Sequence, residues 1–110
     1  MTLADLDKYE VVIEDALHST LRDNTSIYGV SPPAGGLILQ YLVSVMDGYH
    51  YDKSWEDMSE DEKTLFYQRF AEAMKFAYAR RTELGDEDFV PEVTEVSAVM
   101  VCVNVDVLNL

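Results

Sequence analysis

The chain of 110 residues has little of several things, and each shortage excludes something. There is one cysteine, Cys102, so no intramolecular disulfide can form and a disulfide-held scaffold is excluded. There are only eight basic residues against 21 acids, a net charge of −13. That balance cannot build the basic footprint nucleic-acid binding needs. No segment reaches the roughly 18 apolar residues that span a bilayer. The best candidate, Leu37–Met46, is interrupted by Gln40 and Ser44. The first residues, Met1-Thr-Leu-Ala-Asp-Leu-Asp, carry acids where a secretory leader needs a basic start. The expectation from these absences is a cytoplasmic protein with no membrane partner.

What remains is enough to fold. Apolar residues make up 48% of the chain, including seven Tyr, four Phe and five Met, too many for a disordered acidic tail. A chain of this size can bury roughly two-thirds of its unfolded surface. Residues 1–110 are read as a single acidic globular domain.

Thr2–Thr25 is predicted as a first helix. Thr2 is its N-cap, Asp5 lies in the first turn, and Leu6, Tyr9, Ile13, Ala16, Leu17 and Leu21 form an apolar stripe. Ile27–Gly36, with Ser31-Pro32-Pro33 and Gly35-Gly36, is a loop. Leu37–Asp47 reads as a nearly buried helix with Gln40, Ser44 and Asp47 on one narrow polar stripe. A strand facing Leu37, Leu39, Tyr41, Val43 and Val45 to one side is the alternative.

Gly48–Met58 is a second loop. Ser59 and Glu62 then form a capping box that opens a helix running to Leu84, ahead of Gly85. Its main stripe is Phe66, Phe70, Ala73, Met74, Ala77 and Leu84. Leu65 and Phe76 lie about 100° or more away around the helix, so either the helix is covered on two sides, the favoured reading, or these two residues mark a contact surface. From Val93 the pattern turns to period two, with Val99, Val101, Val103, Val105 and Val107 on one face, and predicts a C-terminal strand. The fold class expected is α+β, two or three helices on a small sheet that includes this strand.

Residues for chemistry are sparse. Glu14 and His18, four apart, would share a helix face, but a zinc site wants three or four ligands and no third is positioned. Asp47, His50 and Asp52 are the remaining acid/base cluster. The chain contains no phosphate loop, nucleophile elbow or calcium frame. No catalytic residue, metal or cofactor is expected, and the chain reads as a non-enzymatic module.

The acids therefore become the motif. Glu56, Asp57, Glu60, Asp61 and Glu62 cluster at one end of the long helix. Glu83, Asp86, Glu87 and Asp88, with Glu92 and Glu95, cluster at the other, about 35 Å away by helical rise. A row of carboxylates on such a frame can stand in for duplex phosphates. Trp55 and Phe76, with Tyr49 and Tyr51 as further candidates, would anchor the contact, since aromatics dominate interface hot spots. At the level of class, in size, charge and lack of catalytic motif, the chain resembles the small acidic proteins that phages and mobile elements encode against host defences, including anti-CRISPR and DNA-mimic inhibitors. The resemblance implies a partner with a basic protein surface, such as a nucleic-acid-binding host protein. The alternative is a structural subunit of a virion or other complex, joined to its own copies through the C-terminal strand.

Overall fold

A computed structural model describes residues 1–86 and 88–101. The order is α1 (Leu3–Asp7), β1 (Leu17–Thr20), β2 (Ser26–Gly29), α2 (Gly36–Asp47), a 3-10 turn (Trp55–Asp57), α3 (Glu60–Arg81) and α4 (Val93–Val101). The fold class is α+β with a small two-stranded antiparallel sheet, β1 against β2.

The predicted first helix stops after five residues. Thr2 caps α1 as expected, with Asp5 N–H donating to its hydroxyl and the Asp5 carboxylate accepting from the Thr2 N–H. Beyond it the Val11-Val12-Ile13 run disfavours helix, because β-branched side chains lose rotamer freedom there. The rest of the segment folds as a hairpin in which Leu17 faces Gly29 and Thr20 faces Ser26. Asn24 turns the chain at φ 65°, a left-handed conformation its short polar side chain tolerates. The Asp23 carboxylate accepts from the Thr25 N–H at 2.8 Å, which holds its pKa below the usual carboxylate value.

Continuing that register would set Glu14 opposite Pro32 and Ile13 opposite Pro33. Neither proline has an N–H to give, so the ladder ends at Gly29. Residues 8–16 are thereby left without a regular element.

Helix α2 is the centre of the fold, and the helical reading of Leu37–Asp47 holds. Leu37, Tyr41, Leu42 and Val45 form the core with Ala73 and Ala77 of α3 and Met100 of α4. Gln40 is equally buried, and its Nε2 donates to the Leu17 carbonyl at 2.8 Å and the Ile27 carbonyl at 3.4 Å. One amide thus fastens both strands of the hairpin to α2. Gly36 opens α2 in a place that admits no side chain: a Cβ there would lie 2.3 Å from the Val30 oxygen and 2.4 Å from the Val30 nitrogen.

Helix α3 starts on the predicted capping box. Glu62 N–H donates to Ser59 Oγ at 3.3 Å, and Ser59 N–H donates to the Glu62 carboxylate at 2.8 Å. It ends at Arg81, three residues before Leu84. Leu65 and Phe76 are exposed, so the second side of α3 is bare rather than covered.

The segment predicted as the start of a strand, Val93–Val101, is helical. Val93, Ser97 and Met100 are buried at helical spacing, with Val96 partly buried beside the core. Burying this stripe against α2 outweighs the weak helix propensity of valine. Residues 102–110 of the expected strand, and with them its role in self-association, lie outside the described residues. No helix among the described residues is long and apolar enough to cross a membrane.

Candidate functional site

Three features surround the hairpin and α2. The first is a groove of about 780 Å³ between residues 12–16 and residues 28–34. The Ser31 hydroxyl donates to the Glu14 carboxylate across it. Pro32 is buried beneath the loop, while Val12, Ile13, Tyr28 and Val30 are exposed.

The second feature is a clamp at the C-terminal end of α2. Arg22, in the hairpin turn, donates its backbone N–H to the Asp47 carboxylate at 3.0 Å and its Nε to the Asp47 carbonyl at 2.9 Å. Its guanidinium also meets His50 Nδ1. His50 is held at φ 54°, a left-handed conformation rare for a residue with a Cβ. A cation at this end of a helix also meets the negative pole of its dipole.

The third feature is a set of aromatic rings where the 49–55 loop meets α3. Tyr51 meets Phe66 at 5.0 Å, and Trp55 meets Phe66 at 5.5 Å and Tyr67 at 5.6 Å, all edge-on. Arg69 lies 4.3 Å over the Tyr49 ring. A smaller recess of about 300 Å³ opens here, between His50, Asp52, Lys53 and Arg69.

The predicted partner-binding residues do not converge. Trp55 belongs to the aromatic set, whereas Phe76 stands alone further along α3. The acids have local work. Asp57 accepts from Ser54 Oγ at 2.8 Å, and Glu60 pairs with Lys63 at 3.1 Å. Glu62 accepts from Lys53 Nζ at 2.5 Å as well as serving the capping box. These donors, Lys53 first, hold its pKa down at about 2. Glu83 pairs with Arg80 at 2.7 Å. Asp86 organises the turn before α4, accepting from Asp88 N–H on its side chain and from the Phe89 and Val90 N–H groups on its carbonyl. Glu56, Asp61 and Asp88 are exposed at the surface, and Glu87 lies outside the described residues.

The other candidate clusters come apart too. Glu14 bonds Ser31, and His18, on β1, lies 3.2 Å from Ser26 Oγ and stacks on Tyr28. The shared helix face that would have joined Glu14 and His18 does not exist. Asp47 and His50 both serve Arg22, and Asp52 is exposed on the 300 Å³ recess. Among the described residues no group of three or more His, Cys, Asp or Glu side chains could hold a metal ion. The Arg22 clamp and the groove were missed in the sequence. The Asp23-Asn24 pair, a turn signal inside the predicted helix, was the clue that could have exposed both.

Comparison with known proteins supplies what the motifs do not. Residues 1–103 match Gamma-glutamyltranspeptidase, and the chain belongs to that family. It is 41% identical over 88 residues to Scoloptoxin SSD14 of Scolopendra dehaani, covering 79% of this chain and 15% of the relative. It is 37% identical over 98 residues to Glutathione hydrolase 5 proenzyme of Homo sapiens, covering 88% of this chain and 16% of the relative. With Glutathione hydrolase 2 of Arabidopsis thaliana it shares 35% identity over 101 residues, 91% of this chain and 16% of the relative. The chain spans about a sixth of the length of these relatives.

An enzyme family overturns the expectation of a non-enzymatic inhibitor. The anti-CRISPR and DNA-mimic reading falls, and so does the virion-subunit alternative. Asp57, Glu60, Glu62, Glu83 and Asp86 serve caps, turns and local ion pairs.

Proposed function

We propose that the chain serves γ-glutamyl transfer, as a segment of an enzyme that cleaves the γ-glutamyl amide of glutathione. In that reaction the amide C–N bond breaks, the leaving amine takes a proton, and the γ-glutamyl acyl group passes to water or to an acceptor amine. The match over residues 1–103 carries this reading.

Within such an enzyme the described residues contribute framework. Gln40 and Arg22 hold the hairpin on α2, and the Ser31–Gly36 loop is locked between them by the Gly36 contact with Val30. Rigid framing of this kind is what precise substrate positioning rests on.

The test is a chimera. The segment of human Glutathione hydrolase 5 proenzyme that aligns with this chain is replaced by the chain itself, and glutamate release from glutathione is measured. Release within about tenfold of the parent is expected, a loss under about 1.4 kcal/mol in the barrier. A chimera that folds and releases no glutamate would overturn the proposal.

A further inference from the structure

The stretch from Tyr9 to Ile13 presents a contradiction in a folded protein. Four of its five residues are large and apolar, and all four are bare: Tyr9 is 74% exposed, Val11 71%, Val12 78% and Ile13 91%. The backbone is equally unsatisfied. No N–H or C=O of residues 10–16 is hydrogen-bonded to another described residue. The composition is that of a strand, with Tyr, two Val and Ile among five residues. In an extended chain Tyr9, Val11 and Ile13 share one face, and Glu10, Val12 and Glu14 the other.

The hairpin explains why this strand has no partner within the chain. Its natural neighbour in the β1–β2 register is the 30–34 segment, and the prolines there cannot donate. The two segments part instead around the 780 Å³ groove, tied across it by Glu14 and Ser31. The stretch is thus held at one side chain, while its backbone makes no hydrogen bond to another described residue and its apolar side chains stay exposed. An edge in that condition is a template for another strand.

We infer that residues 9–15 are an interface for a β-strand from the part of the γ-glutamyl enzyme that this chain does not include. The occupant would add to the sheet by main-chain pairing and cover Tyr9, Val11 and Ile13. The relatives' length argues for this occupant. The chain spans only 15–16% of them, yet the matched region reaches residue 1 and so includes this stretch. The inference rests on the family reading, but it concerns a surface rather than an activity.

Amide hydrogen exchange tests it directly. In the 110-residue chain alone, amides 10–16 are expected to exchange close to the unprotected rate at every protein concentration. In the chimera described above they are expected to slow by about 100-fold or more, as paired strand amides do. Unprotected amides in a folded chimera overturn the inference. So does protection in the isolated chain that rises with concentration, which identifies a second copy as the occupant. Unaltered human Glutathione hydrolase 5 proenzyme gives a measurement that does not depend on the chimera folding. Its amides aligned with residues 10–16 are expected to be protected, and their free exchange would overturn the inference. An active chimera with unprotected amides removes this inference and leaves the proposed function standing. Protection without glutamate release does the reverse.

Discussion

Arg22 and Asp47 are 25 positions apart in sequence and meet twice, once through the Arg22 backbone N–H on the Asp47 carboxylate and once through Arg22 Nε on the Asp47 carbonyl. The contact closes the hairpin turn onto the last residue of α2. Arg22→Ala is expected to destabilise the chain by about 1 kcal/mol, below the usual range for a charged hydrogen bond because solvent reaches both partners. In urea unfolding Asp47→Ala should also lose about 1 kcal/mol, because it removes the bond from the Arg22 backbone N–H while Arg22→Ala removes the Nε bond. Coupling in the double variant reads only the Arg22 Nε–Asp47 Oδ1 pair at 3.6 Å and is expected to be under about 0.5 kcal/mol; two single variants as stable as the parent would show that neither bond contributes.

Gly35 and Gly36 are neighbours with opposite requirements. A Cβ on Gly36 meets the Val30 backbone at 2.3 Å, whereas one on Gly35 meets nothing within 4 Å. Gly36→Ala is expected to cost more than about 2 kcal/mol, because backbone rather than a flexible side chain must move. Gly35→Ala should be neutral or stabilise by up to about 1 kcal/mol, through the loss of unfolded-chain freedom. Thermal melts of the two variants distinguish the positions.

Among the described residues Gln40 is the single side chain bonded to both hairpin strands. Gln40→Leu keeps the volume and leaves the Leu17 and Ile27 carbonyls without that donor. A loss of about 1–2 kcal/mol is expected. Faster amide exchange in residues 17–20 and 26–29, with α3 little changed, is the accompanying signature.

Glu62 sets a pH dependence. Its folded pKa lies at about 2, below the ordinary 4.5, so its contribution is present above the unfolded value and is lost as pH falls toward 2. Melting temperature should therefore decline over that window, and Glu62→Gln should flatten the decline. Lys53→Met should raise the Glu62 pKa in a carboxyl NMR titration, since the Lys53 hydrogen bond is its largest cause. An unmoved titration would show that the Lys53 contact does not form in solution.

The elements legible in the sequence were those with a local signal. Ser59 and Glu62 announce α3, Thr2 and Asp5 announce α1, and the uneven polar stripe of Gln40, Ser44 and Asp47 announces α2. The two misread segments each satisfy two periods at once. Leu6, Tyr9, Ile13, Leu17 and Leu21 fit a helix by spacing, while the β-branched run and Asp23-Asn24 favour a hairpin. In Val93–Val101, Val99 and Val101 begin the alternation that reads as a strand, yet 93, 96, 97 and 100 make a helical stripe. Spacing alone does not separate these cases, because the deciding energy comes from α2, distant in sequence. The groove and the Arg22 clamp were illegible for the same reason. Family membership is distributed over 103 positions and not concentrated in any chemistry-bearing cluster.

The double pattern of Val93–Val101 has a consequence of its own. The segment's conformation is chosen by its neighbour: the buried side of α2 acts as a mould that selects the helical stripe of Val93, Ser97 and Met100 from a valine-rich sequence whose end at Val99 and Val101 reads as a ribbon. Damage to α2 therefore does more than open a void beside α4. It removes the template, and with it the reason for this stretch of valines to be a helix at all.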